Sequence, residues 1–175
     1  MAAPLPFRIA VPDADLDVLR AKLAATRLPK AFPHKNLPPY HTPYGVDYTV
    51  LEELWRYWLD SYDWRKHEAE LNSFAHFKVK VQGLDMHFIH QVSSDPTAVP
   101  LVLVHGWPGS IWEFHKMIPN LMRGSEGKSC HIVAPSLPGY AWSQESLEPE
   151  MDCTKVADIV HELMQKLGYS QYFAQ

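Results

Sequence analysis

The residues best placed to do chemistry lie between Pro100 and Asn120, in the stretch PLVLVHGWPGSIWEFHKMIPN. His105-Gly106-Trp107-Pro108-Gly109 puts an imidazole, an indole, two glycines and a proline into one tight turn. Its glycines permit backbone angles that other residues do not hold. Ser110 and Glu113 follow with the S-x-x-E spacing of a capping box, which predicts that a helix begins there. Ahead of the turn, Leu101 to Val104 is an apolar run too short for a helix and rich in Val, so it reads as a strand buried on both faces. A buried strand, a Gly/Pro turn and a capped helix present backbone N–H groups at the carboxyl end of a parallel sheet. That is where open α/β sheets bind ligands, and the donors suit an anion.

Other residue types that do chemistry are poorly spaced for it. Ser136 and Ser143 lack the G-x-S-x-G elbow of a serine hydrolase. His161-Glu162 begins a zinc-protease pattern that Gln165 breaks, because a second His is required at that position. His87 and His90, three apart on a predicted strand, point to opposite faces and are not joint metal ligands. Cys130 and Cys153 have neither metal nor redox spacing and read as buried, reduced thiols of an intracellular, cytoplasmic protein. Lys78 and Lys80 alternate with apolar residues and read as a solvated strand face. A net charge of −4 without a basic cluster argues against nucleic-acid binding, and MAAPLPFRIA holds no apolar run for a signal peptide or membrane anchor. No metal or cofactor is expected.

The elements around the turn follow from periodicity. Phe7, Ile9 and Val11 alternate as a strand, and Asp13 is a candidate N-cap for a helix whose apolar face is Leu16, Leu19 and Leu23. Residues 29 to 46 are proline-rich and read as an extended connector whose Phe32, Tyr40 and Tyr44 need a surface to dock on. From Asp47, the residues Leu51, Leu54, Trp55, Trp58, Leu59 and Tyr62 form one helical stripe, read as core packing rather than a cofactor box. Asp63 caps a short helix over Trp64 to Asn72. Phe77, Val79 and Val81, then a turn at Gly83, then Met86, Phe88 and Ile89 make a β-hairpin. Pro119 should kink or end the helix after the turn. His131 to Ala134 is a second buried strand closed by Pro135. A last helix runs from Cys153, capped by Asp152, to Gly168, and Tyr169 to Gln175 opens a further strand. Hairpin, strand, helix, strand, helix and strand predict an α/β fold with parallel strands and crossover helices. With 175 residues, the chain builds one sizeable core rather than two full domains.

Tyr62-Asp63-Trp64-Arg65, Leu71-Asn72, Phe77 and Gly83-Leu84-Asp85-Met86-His87-Phe88-Ile89-His90 together resemble the N-terminal region of the microsomal-type and fungal soluble epoxide hydrolases. His105 to Gly109 with Ser110 and Glu113-Phe114, followed by Pro135-Ser136-Leu137-Pro138-Gly139-Tyr140, is similar to the first conserved block of that family's α/β-hydrolase core. The resemblance covers nearly the whole chain. It implies an N-terminal region over residues 1–75 and the first part of a hydrolase core over 76–175.

The implied chemistry is hydrolysis of an epoxide to a vicinal diol in two steps. An Asp carboxylate opens the ring to form an ester, and a His oriented by an acid activates the water that cleaves it. Two tyrosines of a helical cap donate hydrogen bonds to the epoxide oxygen. Trp107 would supply a backbone N–H to the oxyanion hole and line the pocket, with a cis Trp107-Pro108 bond. His105 has a structural role in this picture. Ala141 stands where many relatives carry Gly and is read as a tolerant position.

The family's nucleophilic Asp follows a segment like Tyr172-Phe173-Ala174-Gln175, so the expectation is that nucleophile, acid, His and cap lie beyond this chain and that it does not hydrolyse epoxides alone. The implied partners are a small epoxide for the complete enzyme and a second copy in a homodimer. Two other readings stay open: a non-catalytic binding or dimerisation module, and part of another α/β-hydrolase such as a haloalkane dehalogenase. The open sheet edge of such a chain predicts low solubility by itself.

Overall fold

Val81 and Leu84 face each other across a two-residue turn in which Gln82 and Gly83 both hold positive φ, +47° and +85°. That geometry matches the right-handed twist of the flanking strands and sets the register of the whole hairpin. In the computed structural model, which describes residues 3–30, 45–124, 128–149 and 151–175, this hairpin of β2 (His76–Val81) and β3 (Leu84–Gln91) seeds a mixed sheet. β1 (Leu5–Phe7), β4 (Val99–Val102), β5 (Cys130–Pro135) and β6 (Phe173–Ala174) complete it in the order β1-β2-β3-β5-β4-β6. The β1–β2, β2–β3 and β3–β5 pairs are antiparallel, and β4 runs parallel to both β5 and β6.

Met86, His87, Phe88 and Ile89 are all fully buried, so β3 is covered on both faces. One face packs Val79, Val81, Met86, Phe88, Val102 and Val133 against Ile159, Val160, Leu163 and Met164 of α5 (Cys153–Lys166). Asp152 caps α5 by accepting from the Lys155 N–H at 2.9 Å, and Gly168 ends it at φ +87°, as the sequence predicts. A 3-10 turn (Ile111–Phe114) and α4 (Ile118–Arg123) both pack on β5, and Ile111, Phe114 and Ile118 are buried.

Several local expectations change. The single helix after the Gly/Pro turn is instead this 3-10 turn followed by α4, and Pro119 sits in the first turn of α4. A proline there loses no hydrogen bond, since the first N–H groups of a helix have no partner, so it starts a helix rather than ending one. β1 stops at Phe7; the next backbone groups turn to a side chain, Ile9 N–H to Asn72 Oδ1 at 3.0 Å with Asn72 Nδ2 returning to Ile9 O at 2.9 Å. Cys130 is half-buried and Cys153 is exposed at the start of α5, so the expectation of two buried thiols fails for Cys153.

Residues 10–68 form a second compact unit, separate from that of 1–9 and 69–175. Its helices are α1 (Asp13–Ala25), α2 (Tyr48–Asp60) and the first part of α3 (Trp64–Leu71). Pro12, not Asp13, precedes α1; Asp13 is the first helical residue and its carboxylate pairs with Arg65 at 2.5 Å. The Arg65 guanidinium also grips Glu68 at 2.6 Å, and Glu68 accepts the Val11 N–H at 2.7 Å, so one arginine ties α3 to the start of α1. Asp63 caps α3 as predicted, and Asp47, where the helical pattern begins, caps α2 by accepting from the Thr49 N–H. The α2 stripe is a correction: no α2 residue is buried, Trp55 reaches α1 with its indole N–H on Leu23 O at 2.9 Å, and Leu54 and Trp58 are 60% and 48% exposed. The stripe is wider than the surface that α1 offers within this unit. Phe32, Tyr40 and Tyr44 lie outside the described residues, and among the described residues no helix is long and apolar enough to cross a membrane.

Candidate active site

The turn after β4 is built by hydrogen bonds that continue past the strand on both sides. Leu103 N–H reaches Val133 O and Val104 N–H reaches Gln175 O, both at 2.8 Å, so the chain enters the turn held between β5 and β6. Gly109 N–H then closes the turn on Gly106 O at 2.9 Å, and the Trp107–Pro108 peptide is cis. Ser110 Oγ accepts from Trp112 N–H at 3.2 Å while Glu113 Oε1 accepts from Ser110 N–H at 3.0 Å, which is the predicted capping box.

The glycines serve a purpose other than the one their sequence suggests. Neither Gly106 nor Gly109 holds a positive φ. Gly109 is needed for space: a Cβ there would collide with the Glu113 carboxyl, whose Cδ would stand 2.6 Å away. The capping box therefore demands a residue without a side chain four positions before its glutamate. A Cβ on Gly106 would meet nothing within 4 Å.

His105 is buried, with 2% of its surface exposed, and both ring nitrogens are in use. Nδ1 lies 3.1 Å from Gly106 O, an atom that only accepts, so Nδ1 carries the proton. Nε2 then accepts the Leu137 N–H at 3.1 Å, and the Tyr140 ring stands edge-on to the imidazole with centroids 5.0 Å apart. His105 thus fastens the turn after β4 to the turn after β5, which leaves no ring nitrogen for proton transfer to a ligand.

A cavity of about 610 Å³ opens beside these two turns. Val104, Trp107, Leu137, Tyr140, Val156 and Tyr172 are among its walls, so it lies at the carboxyl ends of β4, β5 and β6 with α5 along one side. The lining is mainly apolar, the usual character of a small-molecule site. Trp107 is 84% exposed at its rim, and among the described residues nothing accepts a hydrogen bond from the Trp107 N–H. His161 Nδ1 meets the Tyr172 hydroxyl at 2.7 Å and so steadies one wall. The His161-Glu162 pair does not form a zinc motif, and among the described residues no cluster of His, Cys, Asp and Glu could hold a metal ion.

Sequence reading missed a buried polar cluster behind these turns. His76 and His87 stack with centroids 5.2 Å apart, and His76 Nδ1 lies 3.0 Å from His87 Nε2. His76 Nε2 lies 2.8 Å from Leu71 O and must donate to it, so His87 Nε2 donates to His76 Nδ1, and His87 Nδ1 accepts from Ser136 Oγ at 2.8 Å. These directions hold with both rings neutral, the form that their burial favours. Burial lowers the pKa of His76, and burial with the nearby His76 and Lys78 lowers that of His87 to about 3. The signal was available: a two-residue turn at Gln82-Gly83 pairs Lys78 with His87 and His76 with Ile89, which puts both histidines on one sheet face as diagonal neighbours. His90 belongs elsewhere, with Nε2 on the Tyr169 hydroxyl at 2.9 Å, in keeping with the prediction that His87 and His90 face apart. Lys78 is half-buried with its Nζ 4.7 Å above the Phe7 ring, while Lys80 pairs with Asp85 at 2.9 Å on the solvated face.

The chain was compared with known proteins. Residues 4–114 match the family model described as the epoxide hydrolase N terminus, and residues 99–174 match the α/β-hydrolase fold. The chain is 38% identical to juvenile hormone epoxide hydrolase 2 of Ctenocephalides felis over 97% of its own length, and 36% identical to epoxide hydrolase 1 of Oryctolagus cuniculus over the same share. It spans 37% and 38% of those two proteins. Among solved structures, an enantioselective mutant of the Aspergillus niger epoxide hydrolase superposes with a TM-score of 0.88 at 33% identity, and the juvenile hormone epoxide hydrolase of Bombyx mori with 0.87 at 33%. This chain covers 99% and 100% of itself in those superpositions and 46% of each of those chains. With the N-terminal model matched from residue 4 to residue 114, the chain belongs to the epoxide hydrolase family and carries the N-terminal part of its fold.

Proposed function

We propose that this chain supplies the oxyanion side of an epoxide hydrolase site, with the Trp107 N–H as one donor to the charge that develops as the ester intermediate is hydrolysed. The observation that carries this reading is the Trp107 N–H without a protein acceptor at the rim of an apolar cavity, on the turn that His105, Gly109 and the Ser110–Glu113 box hold in place. In this reading residues 76–175 form the first part of the hydrolase core and 1–75 its N-terminal region. The Asp nucleophile, the His base with its acid, and the cap tyrosines come from sequence beyond this chain. The cavity's apolar walls favour a small epoxide with a hydrocarbon substituent. A cytoplasmic location goes with this reading and accords with the free thiols of Cys130 and Cys153.

The test uses the enzyme of which this chain is the N-terminal part. Trp107→Pro removes the N–H and should lower kcat for diol formation from a styrene-type epoxide by about 10²–10³. Trp107→Phe keeps the N–H and should hold kcat within about tenfold, its effect falling mainly on KM. A Trp107→Pro variant that folds and keeps full rate would refute the reading.

A further inference from the structure

His87 and Ser136 are 49 residues apart in sequence and are joined by a closed ring of hydrogen bonds. Ser136 N–H donates to His87 O at 2.9 Å, and His87 N–H donates to Ser143 Oγ at 2.9 Å. Ser143 Oγ–H donates to Ser136 O at 2.7 Å, and Ser136 Oγ–H donates to His87 Nδ1 at 2.8 Å. His87 and Ser136 are fully buried and Ser143 is 7% exposed. Pinning β5 to β3 needs only the backbone bonds of the ladder. A buried hydroxyl and two buried imidazoles carry a desolvation cost that apolar residues in a ladder do not have.

What the ring adds is a fixed position for the peptide that follows it. Leu137 comes next, and its N–H is the donor to His105 Nε2, while His105 Nδ1–H holds Gly106 O. Two runs of hydrogen bonds, one from Leu71 O through His76 and His87 to Ser136 and one from Leu137 through His105 to the peptide before Trp107, are therefore joined by the covalent Ser136–Leu137 peptide bond. Each hydrogen bond has one allowed direction, because each run ends on a carbonyl that only accepts. Such a linkage transmits position: if Ser136 shifts, the Leu137 N–H leaves the imidazole and the turn that carries Trp107 loses its anchor.

We infer that the His76–His87–Ser136 relay is a positioning device for the Trp107 turn, with His87 and Ser136 as positioning residues for the hydrolytic step. The inference rests on the reading of the Trp107 N–H proposed above and adds the residues that aim it. His87 acts through Ser136 and His105, and touches no ligand itself.

Amide hydrogen exchange followed by NMR on the 15N-labelled protein tests this without any substrate. Ser136→Ala removes one buried oxygen and should leave the fold intact. It should raise exchange of the Leu137 amide by about tenfold and shift the Trp107 amide resonance, with the β2–β3 amides unchanged. His87→Asn sets an acceptor oxygen where Nδ1 stood and should keep Leu137 protected. His87→Gln offers a group only at the Nε2 position and should behave like Ser136→Ala. A pure packing role predicts the reverse order, since Gln fills the site better than Asn. Unchanged Leu137 protection in Ser136→Ala overturns the proposal, as does a uniform loss of protection across the sheet or Gln outperforming Asn. Those results leave the role of the Trp107 N–H standing. A coupled turn whose Trp107→Pro enzyme keeps full rate removes that role instead.

Discussion

Ala141 shows how one residue departs from the expectation of a tolerant site. Its φ is +46°, in the left-handed region where a Cβ is strained and glycine is favoured. Ala141→Gly should raise unfolding free energy by up to about 1 kcal/mol, read from the urea midpoint at constant m-value. A lower midpoint would mean that the loss of chain entropy outweighs the strain. His105 is the opposite case, a buried ring whose replacement removes two hydrogen bonds from the turns it joins. Without it the Leu137 N–H loses its acceptor, Gly106 O keeps only the Gly109 N–H and the space of a buried ring is left empty, so His105→Ala should cost about 2–4 kcal/mol in the same measurement. A loss within experimental error would show that water takes its place.

At the scale of elements, the capping box and the glycine before it act as one unit. Gly109→Ala should displace the Glu113 carboxylate and cost about 1 kcal/mol, and Glu113→Ala should cost a similar amount. The double variant should cost no more than either single one, because both remove the same contact; full additivity in a double-mutant cycle would separate them. In α2 the prediction concerns a surface that the sequence suggested was core. Leu54 is mostly exposed, so Leu54→Gln should change stability by less than about 0.5 kcal/mol, where a buried leucine at that position would lose several-fold more.

For the whole molecule, the buried histidines make stability depend on pH in a defined direction. Unfolded, His76 and His87 titrate near the ordinary 6.5; folded, both are lowered, His87 to about 3. Between those limits the unfolded chain binds more protons than the native one. Stability is then constant above roughly pH 6.5 and falls as the pH drops, by about 1.4 kcal/mol per pH unit for each histidine held neutral. Urea unfolding between pH 7.5 and 4.5 measures the slope. His87→Asn should flatten it, and an equal slope in wild type and variant would assign the acid sensitivity to other groups.

Sequence alone determined what depends on neighbours along the chain. The Asp47, Asp63 and Asp152 caps, the Ser110–Glu113 box, the Gln82-Gly83 hairpin turn and the stop at Gly168 are satisfied within a few residues, so their residue types state their geometry. The strand, turn and helix order that positions the candidate site was legible for the same reason. Tertiary structure alone decided which polar groups meet. Periodicity tells which face of a strand is buried, but not which strand lies beside it. The insertion of β5 between β3 and β4 is what brings His87 to Ser136 and His105 to Leu137, 49 and 32 residues away. It likewise decided that Gly109 makes room for a carboxylate and that Leu54 and Trp58 stay outside, because available space depends on the packing of distant segments and leaves no mark on local residue types.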